Sequence, residues 1–138
     1  MANFTQRTNV VKKTAGTDII YPELSYELIQ AIFKVHNCLG PGFTEEIYQR
    51  ALIKELELRK IPFESQRTIH IFYEGTNIGT YRLDLVIDNK IILELKAVSD
   101  LNDLFKQQLL SYLKATKLRL GILVNFGAKR VQSIRIAN

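Results

Sequence analysis

The stretch that decides the fold runs Tyr81-Arg82-Leu83-Asp84-Leu85-Val86-Ile87, then Asp88-Asn89-Lys90, then Ile91-Ile92-Leu93-Glu94-Leu95-Lys96. Two β-rich runs flank a polar triplet, which is a hairpin signal. A turn centred on Asn89 sets Asp84 opposite Glu94, Arg82 opposite Lys96 and Ile87 opposite Ile91. In that register Leu83, Leu85, Ile87, Ile91, Leu93 and Leu95 form a core face. Arg82, Asp84, Glu94 and Lys96 share the other face, with Val86 and Ile92 beside the turn. Side chains directly opposed across such a pair have Cβ atoms roughly 4.5–5.5 Å apart. Two carboxylates at that separation repel unless a cation lies between them. A pair of oxygen ligands beside two cations suits Mg²⁺ (or Mn²⁺) holding an anionic substrate. The competing reading is two ordinary surface ion pairs, Asp84 with Lys96 or Arg82 with Glu94, which contribute little.

Working outward, the chain has 138 residues and is 46% hydrophobic, enough for one domain with a sizeable core. It shows no bilayer-spanning run and no apolar secretory leader near its start. A single cysteine, Cys38, forms no internal disulfide and points to a cytoplasmic home; its apolar surroundings suggest a small core residue. His36 and His70 lack ligand spacing and read as structural or surface groups. Net charge is +5, unevenly spread: all 14 acidic residues lie at or before Asp103, while seven bases follow it. The segment after Asp103 is thus +7 and the rest −2. A one-signed segment beside a carboxylate site suits a polyanion, with Lys106, Lys129 and Arg130 as candidate phosphate contacts.

Residues 1–21 read as a loose polar arm and 22–138 as the folded domain. Pro22 opens a helix whose apolar face carries Leu24, Leu28, Ile32, Val35 and Leu39; Gly40-Pro41-Gly42 breaks it. Thr44 can cap a second helix running to about Lys60, with Glu45 and Glu46 at its positive end. Strands are expected at 68–73, 78–87 and 91–96, the first two joined by Glu74-Gly75-Thr76-Asn77. Asp100 or Asn102 can cap a helix to about Ala115, with Leu101, Leu104, Phe105, Leu109 and Leu113 toward the core. Strands at 118–126 and 131–136 complete the order α-α-β-β-β-α-β-β, an α/β sandwich on a mixed sheet. Gln108 and Tyr112, four apart, share a helix face; Gln108 either reaches a polar partner or simply meets solvent. Glu45 is accounted for by the helix dipole alone.

Asp84, the Glu94-Leu95-Lys96 tripeptide and the helix bearing Gln108-Leu-Leu-Ser-Tyr112 resemble the PD-(D/E)xK nuclease superfamily, which has the restriction-endonuclease-like α/β/α fold. Gly42-Phe-Thr-Glu45-Glu-Ile-Tyr48 resembles the signature of its small bacterial and archaeal GxxExxY family, and Gly121-Ile-Leu-Val-Asn-Phe-Gly127 falls in the expected place. The likeness covers roughly Leu24 to Arg135. It implies that Asp84, Glu94 and the Leu95 carbonyl ligate a metal ion, and that Glu45 adds a ligand through water or a second ion. It further implies that Lys96 polarises the attacking water or stabilises the transition state, and that Gln108 and Tyr112 support the site or touch the nucleic-acid backbone. Leu83 stands where many members have proline, and Phe105 where relatives often carry histidine. The implied activity is phosphodiester hydrolysis in nucleic acid, DNA rather than RNA, with Arg82 as a further phosphate contact and no strong sequence selectivity. An accessory role, alone or as a homodimer, fits so short a chain. Two other readings stand beside it: a module that binds nucleic acid or protein without cleaving, and a hydrolase of a small phosphorylated metabolite.

Overall fold

The computed structural model describes residues 19–138; the expected arm at 1–21 lies almost wholly outside the described residues. Helix α1 (Pro22–Leu39) and helix α2 (Glu45–Leu58) precede strands β1 (Phe63–Tyr73), β2 (Thr76–Ile87) and β3 (Ile91–Lys96). Helix α3 (Asp103–Thr116), β4 (Leu120–Asn125) and β5 (Gln132–Ala137) follow, in the order the sequence suggests. The five strands form one sheet in chain order, antiparallel except for β3 and β4, which run parallel because α3 crosses between them. Packing of α1 and α2 covers one face: Leu28, Ile32, Tyr48, Leu52 and Leu56 meet Leu85, Ile87, Ile91, Leu93 and Ile122. On the other face α3 brings Leu109, Tyr112 and Leu113 onto Ile69, Leu83, Val86, Ile92 and Leu123. No helix among the described residues is long and apolar enough to cross a membrane.

Local chemistry explains the boundaries. Asp88 and Asn89 both take left-handed φ (51° and 54°), as primed hairpin turns require, and Lys90 N donates to Ile87 O at 2.9 Å. The ladder beyond that turn pairs Ile87 with Ile91, Val86 with Ile92 and Leu85 with Leu93, the expected register. The preceding hairpin is tighter than expected: Glu74 and Gly75 alone make its turn, both at positive φ, and the strands extend to Tyr73 and Thr76. Asn102 caps α3 by accepting from Phe105 N, whereas Thr44 sits at the start of α2 without a side-chain cap bond. Glu55, buried between α1 and α2, is satisfied by Lys34 at 3.3 Å and Arg59 at 2.8 Å.

Five expectations need correcting. Leu83 does not share a face with Leu85 and Ile87; it packs under α3 while they pack under α1 and α2. Residues two apart on a regular strand point the same way, so β2 turns over at Asp84. Opposite it on β1, Gln66 adopts φ 56°, and pairing steps from Ser65↔Leu85 to Arg67↔Leu83 with no Gln66–Asp84 pair. Val86 and Ile92, placed beside the turn on the polar face in the expected register, are buried core residues because α3 covers them. Because the β2–β3 ladder stops at Leu85↔Leu93, Arg82 is not the ladder partner of Lys96; it pairs with Thr68. Leu104 is 58% exposed, being on the outer side of the first turn of α3, and Cys38 is exposed on the outer side of α1.

Candidate active site

The kink at Asp84 rewires its backbone. Asp84 N donates to Glu94 Oε2 at 2.9 Å, and Asp84 Oδ2 accepts from Leu95 N at 2.8 Å. The two carboxylates thus interlock across the strands, each taking a backbone N–H from the opposite one where a ladder bond would otherwise lie. A strand residue sends its N–H and C=O to the same edge, so the Leu95 carbonyl also addresses the Asp84 side. Gln49, one turn after Glu45 on α2, donates from Nε2 to Asp84 O at 3.2 Å and fixes the kink from the helix layer. Gln49 escaped the sequence reading; its i, i+4 spacing from Glu45 was the available signal.

Electrostatics follow from burial. Glu94 is only 9% exposed, and its carboxyl is pushed up to about 8, by burial first, then by the Asp84 and Glu45 charges, against the pull of Asp84 N–H and Lys96. Asp84 is raised too, by burial, with the Leu95 N–H and Lys96 opposing. Burial thus favours the protonated form of Glu94 when nothing else neutralises the site. Glu45 heads α2 and is raised by desolvation, then lowered by Lys96, raised by Asp84 and lowered by the Ala97 N–H. Its carboxyl therefore turns toward the pair although most of the residue meets solvent. Lys96 is the cation common to all three acids, and its Nζ sits 4.5 Å from the centre of the Phe105 ring. Phe105 steadies that ammonium by a cation–π contact.

The remaining candidates divide. Tyr112 lies at the site: its hydroxyl is pushed up to about 12 by burial, then by Glu94, by Tyr81 and by Asp84. Gln108 is half-buried on α3 and makes no hydrogen bond to either carboxylate. Lys106 is drawn to Asp103 at 3.3 Å, and Arg82 is exposed on β2. Lys129 and Arg130 are exposed in the β4–β5 loop, at the end of the sheet where Phe126 N bonds Lys96 O. The basic segment is not one surface: Arg135 is partly buried and donates to Ile20 O, while Arg119 lies over Tyr21.

Three residues that position the site were not read as such from the sequence. Tyr48 is fully buried, stacks on Phe126 with ring centres 4.6 Å apart, and bonds through its hydroxyl to Gly40 O and Phe43 N. With Gly42 at φ 119°, it sets the loop that delivers Glu45. Asn125, fully buried, bonds Val98 N, Val98 O, Gly127 N and Gln132 Oε1, clamping the chain just after Lys96. Gly127 packs so close to Val98 that a Cβ would lie 2.5 Å from its N and O.

A sequence profile of the PD-(D/E)XK nuclease superfamily matches residues 22–136. The chain belongs to the PD-(D/E)XK nuclease superfamily. The α/β/α sandwich around a mixed sheet is accordingly of the restriction-endonuclease-like type. The chain is similar to the crystal structure of SSO0001, with 24% identity and a TM-score of 0.52 over 86% of this chain. It spans 57% of that protein's length, and the likeness concerns the fold alone. No curated protein matches by sequence.

Whether a divalent cation fits this PD-(D/E)XK site can be judged from the donors. No group of three or more His, Cys, Asp or Glu side chains converges as a ready-made cage among the described residues. Asp84 Oδ1 and Glu94 Oε1 are the carboxyl oxygens not engaged with these backbone N–H groups, and the Leu95 carbonyl leaves β3 on the edge that faces β2. Hard oxygen donors with one or two carboxylates, completed by water and phosphate, are what Mg²⁺ or Mn²⁺ takes. The residues fit such an ion, which would offset the burial that raises both acids and the Asp84 charge that adds to it at Glu94.

Proton linkage gives a prediction. The folded, metal-free protein retains a proton on Glu94 that the unfolded chain, with a carboxyl at 4.5, has released. Stability is therefore greatest below that value and falls as pH rises through about 8, by an amount on the order of a few kcal/mol. Thermal melts with a chelator should show a lower Tm at about pH 8 than at about pH 5, and Glu94→Gln should flatten the trend. A Tm that climbs over this interval would contradict the arrangement.

Proposed function

We propose that this protein is a metal-dependent nuclease of the GxxExxY type that hydrolyses phosphodiester bonds in DNA, in the cytoplasm, without strong sequence selectivity. The observation that carries this reading is the interlocked Asp84–Glu94 pair with Lys96 beside it. A divalent cation bound there lowers the pKa of water and neutralises charge on a scissile phosphate. Asp84 and Glu94 supply the negative charge that holds the ion, and the backbone N–H bonds from Leu95 and Asp84 keep both carboxylates aimed. Lys96, steadied over Phe105, offers its ammonium to the oxygens on which charge grows in the transition state. Glu45, partly desolvated at the head of α2, can orient a water on the side facing Ala97. Arg82, Lys129 and Arg130 are exposed and available to phosphates flanking the cut, which position a strand without reading its sequence.

The test is a panel of labelled single- and double-stranded DNA and RNA incubated with Mg²⁺ or Mn²⁺, with Asp84→Asn as control. Cleavage of nucleic acid that the control lacks supports the reading; intact substrates throughout, with nucleic-acid affinity unaltered by Asp84→Asn, would favour a binding module instead. Lys96→Ala should leave the metal-induced rise in Tm nearly intact while lowering the cleavage rate by about a hundredfold or more, as when one charge-stabilising donor is lost. An unchanged rate would remove Lys96 from the chemistry.

A further inference from the structure

Beside the carboxylates, the paired arm of β1 and β2 leans over α3 and leaves a cavity of about 460 Å³. Its lining is His70, Ile71, Phe72, Tyr81, Ser111, Tyr112, Lys114 and Ala115. Four of these are rings, one is a cation and none is an acid, in a chain that carries 14 acids in all. Tyr81 and Tyr112 are 4.9 Å apart and tilted by 54°, and His70 lies 6.5 Å from Phe72. Phe72 is 64% exposed and Tyr81 49% exposed. Large rings are left in water here at a cost that folding does not require, since the core clusters close without them.

We propose that this cavity is a stacking subsite for one unpaired nucleobase, on the strand whose phosphate lies at Asp84 and Glu94. The inference rests on the nuclease reading and specifies its substrate as a strand with an unpaired base next to the cut, in single-stranded DNA or at a frayed end. Three features select this occupant. Every base has a π-face that stacks on aromatic rings, while the backbone requires positive charge. Lys114 meets the second need at the rim. Tyr112 belongs both to this lining and to the surroundings of Glu94, so the subsite is continuous with the site of hydrolysis. His70 is held in a defined state: Asn77 Oδ1 accepts from Gly79 N, which turns the Asn77 amide to donate to His70 Nδ1 at 3.0 Å. Neutral His70 therefore carries its proton on Nε2, a donor suited to a base carbonyl or ring nitrogen.

The experiment uses the full chain in a chelator, where binding is measured without cleavage. The probe is a short single-stranded DNA with one fluorescent aminopurine, compared with a blunt duplex of the same length. Binding to the parent should quench the aminopurine by stacking. Phe72→Ala, at an exposed position that leaves the fold unchanged by thermal melt, should weaken single-strand binding by about tenfold and abolish quenching. Phe72→Tyr should restore both, and duplex affinity should move little. Equal weakening for duplex and single strand, or quenching retained in Phe72→Ala, would overturn the subsite. So would conversion of a dimer into a monomer by Phe72→Ala without any change in quenching, since the patch would then join two copies of the chain. The nuclease reading is judged separately by cleavage: a parent that quenches but never cuts keeps the subsite and loses the enzyme, and one that cuts without quenching does the reverse.

Discussion

Asp84→Asn and Glu94→Gln should each abolish the stabilisation of this protein by Mg²⁺ or Mn²⁺ and reduce DNA cleavage by about a thousandfold or more, several kcal/mol of transition-state charge stabilisation being lost with the ion. The substitutions keep shape and acceptors: an amide oxygen at either position can still take the N–H bond from Leu95 or Asp84. They remove the charge and turn the second carboxyl oxygen, the proposed ligand, into an amide NH₂ that cannot bind a cation. Metal-free stability should accordingly hold or improve, because the cost of burying a charged carboxylate at the substituted position disappears. An ion bound by the parent at about a hundred times its Kd contributes about 2.7 kcal/mol, so the contrast in thermal melts is large and easily read. A full metal-induced rise in Tm in either variant would refute the proposed ligand pair. Loss of the metal response with cleavage unaltered would place the chemistry elsewhere.

Gly127→Ala should destabilise the fold by about 3 kcal/mol, at the upper end of overpacking costs, and lower Tm by roughly 10 °C. The new Cβ would meet Val98 N and O at 2.5 Å and Ala97 C at 2.6 Å, all backbone atoms that no side-chain rotation can move aside. Nor can the two segments part freely, since Asn125 bonds Val98 on both its N–H and C=O while also holding Gly127 N. Any relief must shift residues 97–98, and with them Lys96, whose carbonyl accepts from Phe126 N at 2.8 Å. Cleavage should therefore fall along with stability. A denaturation midpoint equal to the parent's would show that the close approach is not needed.

The pattern of what was legible in the chain has a physical basis. Asp88-Asn89 makes a primed turn through its own backbone preferences, so the register that pairs Leu85 with Leu93 and brings Asp84 near Glu94 is a local property. Helix α3 begins at Asn102 for an equally local reason, its amide oxygen capping Phe105 N. The face of Leu83 was not local. Period-two reasoning holds only for an unbroken strand, and the inversion at Asp84 depends on Glu94 and Leu95 of β3 and on Gln49 of α2, two segments apart from it in the chain. Charge behaves similarly. Of seven bases in one stretch of sequence, five become a helix ion pair, a half-buried guanidinium, a cation over Tyr21 and two loop residues once the chain folds.

By itself, the order of residues determined the succession of helices and strands, the hairpin register and the residue types that could serve as metal ligands. Each of these follows from contacts within a few positions or from simple periodicity. Tertiary structure alone decided that Asp84 and Glu94 interlock through backbone N–H groups, that Gln49, Tyr48 and Asn125 hold the surrounding chain, and that aromatic rings from β1, β2 and α3 enclose a cavity beside them. Those arrangements arise from burial and hydrogen bonding between segments distant in the chain, which no local pattern encodes.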